Sequence, residues 1–348
     1  MKIYIHSATA ISPQHTFDGA LLEDLVTYNT NRLQVIEPPY QDLLDTKLIR
    51  RMSRIIRMGT AAAIKCLRDA EIDQPGAIVT GTAYGCLEDT GTFLTKMVEQ
   101  CEDLLPPTPF IQSTHNTVSA QIALTLHCHA YNNTFVHNGF SFESAMQDAV
   151  LLLREQEADN VLVGSADELT DISYQILTRL GLYKKQAGSN LDLFNTNTKR
   201  TIGGEGTAFF LLSPTPSQDA VVLEGMNTFY LSEHAQLSPE RIAAFLSVHN
   251  LSVEDVDVVI DGSNGDAIED GLYKFLQQTI FSALPVIRYK HLCGDYPTVS
   301  SFALWLAYSI IKAGKVPFSL HVKQPSAKRI LVCNTYLNKY CSLMLVTK

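Results

Sequence analysis

Short runs rich in β-branched and aromatic residues alternate with longer runs of helical period along the whole chain, and this alternation restricts the fold more than any other feature. "KIYIHS", "AIVTGT", "NTFVHN", "NVLVGS", "TAFFLLS", "AVVLEGM", "VDVVIDG", "RILVCN" and "SLMLVTK" read as strands. The stretches at about 52–70, 88–101, 116–128, 141–156, 238–248, 266–280 and 298–313 read as helices, with apolar residues recurring every three or four positions. Strands separated by helices predict a layered α/β fold in which helices pack on sheets. The polar, Pro-bearing "SPTPSQDA" (213–220) reads as the join between two unequal halves, 1–215 and 216–348. No residue-level repeat relates the halves, so a duplication would have to show in the order of elements.

A chain of 348 residues that is 46% apolar can bury two core-forming units. No apolar run is long enough for a bilayer-spanning helix, and "MKIYIHSATAISPQHTFD" lacks a signal-peptide layout. Seven scattered cysteines, an odd number, favour reduced thiols and a cytoplasmic location over a disulfide framework. A net charge of −9 argues against nucleic acid as a bulk partner.

Most local motifs have bland readings. "LHCH" (126–129) and His115 lack zinc-site spacing, so no metal is expected. "TIGGEGTAFFLL" (201–212) has no Lys-Ser/Thr of a phosphate loop and reads as a tight turn before a buried strand. No GxGxxG follows the first strand, so no dinucleotide site is expected. Two segments say more. In "NTFVHNGFSFESAMQDAV" a strand turns sharply into a helix N-terminus, a place suited to a nucleophile, yet the turn holds His137, Asn138, Gly139 and Phe140. In "KHLCGDYPTVSSFALWLAYSIIK" (290–312), Lys290 follows a strand, Gly294 permits an unusual turn, and an apolar helix begins near Ser300.

Five segments, in order, resemble the β-ketoacyl-acyl carrier protein synthases of the thiolase superfamily. They are "LIRRMSRIIRMGTAAAIKCLRDAEI" (48–72), "HNTVSAQIALTL" (115–126), "NTFVHNGFSFESAMQDAVLLLREQEADNVLVGSADEL" (133–169), "KRTIGGEGTAFFLL" (199–212) and "KHLCGDYPTVSSFAL" (290–304). The resemblance implies a thiolase-like fold of two α/β halves in a five-layered α-β-α-β-α core, and a dimer. It also implies acyl carrier protein as partner, with the carrier's phosphopantetheine as carried substrate and no bound cofactor.

The departures bear on activity. The family's Cys nucleophile falls at Gly139 or Phe140, and neither is a nucleophile. Its first catalytic His falls in "VDVVIDGSNGDAIED" (256–270), at Gly262, and the second falls at Asp295; only Lys290 survives. A carboxylate cannot offer the neutral donor that an imidazole gives an enolate. The near-terminal Asn-Ser-Phe-Gly-Phe-Gly-Gly segment is reduced to "NTYLNKYCS" (334–342). The chain therefore resembles the chain-length-factor partners of active ketosynthases in polyketide and polyene synthesis. Two alternatives stay open: an acyltransferase whose nucleophile has moved, with Cys293 as candidate, and a homodimeric acyl-chain binding protein. Lys47, Arg50, Arg54 and Arg57 recur at helical spacing, with Arg51 beside them. This basic stripe in an acidic chain is the expected docking surface for the acidic carrier.

Overall fold

The computed structural model describes residues 1–348 apart from 20, 218, 233–236, 321, 323 and 325. Residue 218, within the expected join, thus lies outside the described residues. The chain first lays down β1 (Ile3–Ile11), α1 (Thr46–Ile49), α2 (Arg54–Asp69), β2 (Ala77–Gly81), α3 (Leu87–Glu99), α4 (Pro107–Gln112) and α5 (Thr117–Leu126). Next come β3 (Tyr131–Phe135), α6 (Ser141–Arg154), β4 (Val161–Asp167), α7 (Asp171–Arg179) and β5 (Gly206–Ser213). The remainder forms β6 (Val221–Tyr230), α8 (Pro239–Val248), β7 (Val258–Asp261), α9 (Gly271–Gln278), β8 (Val286–Arg288), α10 (Lys290–Cys293), α11 (Ser300–Ala313), β9 (Arg329–Tyr336) and β10 (Tyr340–Thr347).

The ten strands among the described residues run in the order β3-β2-β4-β5-β1-β6-β10-β9-β7-β8. Counted outward from the β1–β6 seam, each set of five appears as first, fifth, fourth, second, third. The pairing senses repeat too. β2 is parallel to β3 and β4, and β5 is antiparallel to β4 and β1. β7 is parallel to β8 and β9, and β10 is antiparallel to β9 and β6. The duplication is therefore visible in element order although no residue repeat carries it.

Side-chain parity builds the layers. Val161 and Val163 of β4, with Ala208, Phe210 and Leu212 of β5, face a central core that also takes α6 and α11. Their neighbours Leu162, Phe209 and Leu211 face α2 and α5 on the outside. The second set repeats this: Ile330, Val332, Met344 and Val346 point to the centre, and Leu331, Leu343 and Leu345 point to α8 and α9. The result is α-β-α-β-α. α6 buries one face through Phe142, Ala145, Met146, Ala149 and Leu153. α11 is buried almost all round from Ser300 to Ile311, as a helix enclosed between the two halves of the sheet must be.

Three expectations shift. β3 ends at Phe135 rather than continuing to residue 138, because Asn138 adopts a left-handed φ of 49°. α9 starts at Gly271, not near 266. The Asp266 and Asp270 carboxyls instead accept backbone N–H groups of Ile268, Asn264 and Gly265, folding that segment as a loop. α1, α4, α7 and α10 were not in the periodic pattern; they have 4, 6, 9 and 4 residues. Runs that short carry too few apolar repeats to register.

Candidate functional site

The turn between β3 and α6 is closed by aromatic side chains. Gly139 is buried, and a Cβ added there would lie 2.7 Å from Cγ of Tyr340 and 2.9 Å from Cδ1 of Tyr336. The Phe140 ring meets Tyr340 edge-on at 5.0 Å, and Tyr340 meets Tyr230 at 5.5 Å in the same manner. Tyr336 and Tyr340 flank the β9–β10 turn, whose Leu337 and Asn338 take left-handed φ values of 52° and 48°. The segment "NTYLNKYCS" is thus a tight hairpin that lays Tyr336 and Tyr340 over the turn where a nucleophile would sit.

Behind Tyr336 lies a buried polar network. Lys290 is 0% exposed; its Nζ lies 2.9 Å from Asp295 Oδ1 and donates to the Thr335 carbonyl at 2.9 Å. Asn264 Nδ2 donates to Asp295 Oδ2 at 3.0 Å and to Glu269 Oε2 at 2.7 Å. Burial, reinforced by the Asp295 carboxylate, pushes the Glu269 carboxyl up to about 7. A cavity of about 240 Å3 opens beside this network, lined by Tyr183, Arg200, Asn264, Glu269, Asp295 and Tyr336 among others. Tyr336 therefore separates the Gly139 turn from the network. The segments carrying the network meet because Gly204 and Gly294 pack backbone to backbone. A Cβ on Gly294, whose φ is 74°, would lie 2.5 Å from Gly204 Cα, and the Asp295 N–H donates to the Ile202 carbonyl.

Gly262 follows β7 with no room for a side chain, since a Cβ would meet the Tyr273 hydroxyl at 2.5 Å and Asn334 Oδ1 at 2.7 Å. The polar groups at that strand end are its neighbours Asp261 and Asn264. Asp261 accepts from Gln277 Nε2 at 2.6 Å, and burial pushes its carboxyl up. Motif matching by position missed Asn264, Glu269 and Thr335. The acidic run "DGSNGDAIED" was the sequence signal for Asn264 and Glu269, and Thr335 lies in "NTYLNKYCS".

Cys293 is 0% exposed, and burial holds its thiol well above the usual range. It has neither the access nor the thiolate character that a nucleophile needs. His137 lies exposed at the turn, its Nδ1 3.5 Å from the Ser144 hydroxyl. His127 takes a left-handed φ at the end of α5. Among the described residues, no group of three or more His, Cys, Asp or Glu is placed to hold a metal ion.

The basic stripe does not lie on one helix. Lys47 belongs to α1, Arg50 ends it, and α2 begins only at Arg54. Arg54 turns inward: Nη1 donates to Glu205 Oε2 at 2.8 Å, Nη2 pairs with Oε1, and Nε donates to Glu37 at 2.8 Å. Arg57 Nη1 donates to the Met52 carbonyl, and Nη2 stands 3.9 Å from Glu37. Lys47, Arg50 and Arg51 stay exposed. A second cationic surface, a cavity of about 660 Å3 lined by Lys184, Lys185, Lys199 and Arg200, shares Arg200 with the cavity beside Asp295. No described helix is long and apolar enough to cross a membrane.

The sequence profile of the β-ketoacyl synthase N-terminal domain matches residues 9–191. No curated protein matches the sequence. Among solved structures, a β-ketoacyl synthase from Burkholderia phymatum superposes with a TM-score of 0.78 at 13% identity, covering 100% of this chain and 99% of that one. The ishigamide ketosynthase/chain length factor does so with a TM-score of 0.78 at 14% identity, covering 100% and 99%. A type II polyketide synthase acyl-carrier protein in complex with its ketosynthase bound to the hexaketide gives 0.75 at 13% identity, covering 99% of each chain.

Proposed function

This chain belongs to the β-ketoacyl synthase family, and we propose that within it the protein is a partner subunit without a nucleophile of its own, pairing with an active ketosynthase in polyketide or fatty-acid chain building. One observation carries this reading: Gly139 lies under Tyr336 and Tyr340 with no space even for a Cβ, so the nucleophile position is filled as well as substituted. The second catalytic His position, Asp295, is tied up in an ion pair with Lys290. A buried, un-ionised Cys293 offers no replacement.

Pairing is supported by exposed apolar side chains on two pairs of packed elements. Leu94 and Val98 of α3, Phe110 and Ile111 of α4, Leu124 of α5 and Tyr131 of β3 are all exposed. α3 packs on α4 and α5 on β3, so these side chains lie on neighbouring elements. β3 also ends the sheet with a free edge. In this reading a homologous subunit covers that surface, and carrier-borne acyl chains reach the pair through its phosphopantetheine. Lys47, Arg50 and Arg51, with the cationic cavity at Lys185 and Arg200, would attract the carrier.

Co-expression with a Cys-bearing homologue, affinity purification on a tag carried by this chain, and intact-mass analysis after exposure to an acyl-thioester test the proposal. The expected result is a one-to-one complex in which only the partner becomes acylated. Acylation of this chain, or failure to pair with any Cys-bearing homologue encoded beside it, would overturn it.

A further inference from the structure

β6 has sheet neighbours of unequal length. β10 runs beside it from Val222 to Tyr230, whereas β1 pairs only with Val221, Val222 and Leu223. From Glu224 to Tyr230, no strand among the described residues pairs with the second edge of β6. Such an edge offers N–H and C=O groups to any chain that can lie alongside it. Parity sorts its two flanks. Met226 packs on the central core and Thr228 faces α6, where Gln147 Nε2 donates to its hydroxyl at 3.3 Å. Gly225 and Phe229 face α8: a Cβ on Gly225 would run into the His249 ring, and the Arg241 guanidinium stands 5.3 Å over the Phe229 ring. A cavity of about 510 Å3 opens on the α6 side, lined by Phe135 and Leu151 among others. One of about 580 Å3 opens on the α8 side, lined by Phe229, Phe245 and Arg241 among others. Arg154, Glu224, Gly225 and Met226 line both, so the cavities meet along β6 as one groove. Its carboxylates are engaged: Glu224 lies 3.7 Å from Lys2 Nζ, and Asp148 accepts from the Tyr131 hydroxyl at 3.1 Å. Arg154 and Arg241 are exposed and make no ion pair among the described residues.

We propose that this groove takes an extended peptide segment of another protein, added as a strand beside Glu224–Tyr230. Its main chain bonds to the open edge of β6, and its alternate side chains enter the two cavities. Apolar side chains fit the α6 side against Phe135, Leu151 and Met226, and acidic side chains on the α8 side meet Arg241 and Arg154. α6 and α8 wall the edge on its two faces, which leaves room for one strand and not for the broad edge of a second sheet. The inference goes beyond the partner-subunit reading and does not rest on it.

The test uses the full chain and an N-acetylated, fluorescently labelled heptapeptide of alternating valine and glutamate. Fluorescence anisotropy should show saturable binding. Alternate amides of Gly225–Tyr230 face β10; the others should exchange freely without peptide and about tenfold more slowly with it. Only one set of the peptide's N–H groups can point at β6. Of two peptides methylated at the valine or at the glutamate nitrogens, one should therefore bind about tenfold more weakly than the parent. Arg154→Glu with Arg241→Glu should weaken binding of the parent peptide about tenfold, and a valine–lysine peptide should bind wild type as poorly. Absence of saturable binding, or equal affinity of the parent and both methylated peptides, would overturn the proposal. So would outward amides of Gly225–Tyr230 that are already protected in the free protein, since this chain or a second copy would then cover the edge. The methylated peptides decide the matter even should the charge-reversed protein fail to fold.

Discussion

The Cβ that Gly139 lacks would fall 2.8 Å from the Cβ of Tyr340. Two side-chain-bearing residues cannot share that approach, so the hairpin tyrosine and the glycine at position 139 form one arrangement. Gly139→Cys should therefore overpack the turn and cost about 1–3 kcal/mol in chemical denaturation. Adding Tyr340→Gly with Tyr336→Ala should restore room for the thiol without restoring condensation, because Gly262 and Asp295 supply neither imidazole function. Malonyl-thioester decarboxylation measured on both variants checks this; turnover by either one defeats the non-catalytic reading.

Lys290 and Asp295 form a buried pair whose halves need each other. Lys290→Met should lower stability by about 3–5 kcal/mol, since it strands a carboxylate that is 3% exposed. Lys290→Met together with Asp295→Leu should cost clearly less than the sum of the two single changes. Thermal or urea unfolding of the four proteins gives the coupling directly. Additive losses would mean the pair contributes nothing as a pair.

The layered fold was legible because strand and helix periods differ: Val161, Val163 and Phe210 alternate with Leu162 and Phe209 as a two-faced sheet requires. That the turn between β3 and α6 holds Gly139 and Phe140 and no Cys was legible too. The plug was not. Tyr336 and Tyr340 lie some two hundred residues from Gly139, and only the close return of the β9–β10 hairpin brings them over it. The single-helix placement of the basic stripe failed for a local reason. Its spacing suited one helix, but Ser53 precedes α2 in an extended conformation, and Glu205, which no periodicity reveals, draws Arg54 inward. Likewise the Lys290 network depends on Asn264 and Glu269, whose loop reads in sequence as the start of a helix.

Glu269 gives the network a pH dependence. Its carboxyl is pushed up to about 7, above that of the unfolded chain, so the folded state binds the proton more tightly. Stability from this group is fully present below the unfolded pKa and lost as pH rises through about 7, by up to roughly 3 kcal/mol. Glu269→Gln should remove that slope and leave the variant relatively more stable at alkaline pH. Glu168, also raised to about 7 by burial, retains its own contribution in both proteins. The difference between their stability–pH curves therefore isolates Glu269. Curves that run parallel would assign the slope to Glu168 and others.

Arg54 and the pair Arg50 and Arg51 should separate by experiment, because the structure gives them different partners. Arg54→Ala leaves Glu205, fully buried, to rely on the backbone N–H groups of Val35 and Leu169. It should cost about 3–5 kcal/mol in unfolding. Arg50→Glu with Arg51→Glu touches exposed side chains and should change stability by no more than about 0.5 kcal/mol. If these residues attract an acidic carrier, the charge-reversed protein should bind it more slowly, and the difference should shrink at high salt, where exposed charges are screened. Association rates measured by surface plasmon resonance at low and high salt, for the protein carrying each variant, make the comparison. Equal rates at low salt would remove Arg50 and Arg51 from the docking surface and leave the cavity at Lys185 and Arg200 as the remaining cationic approach.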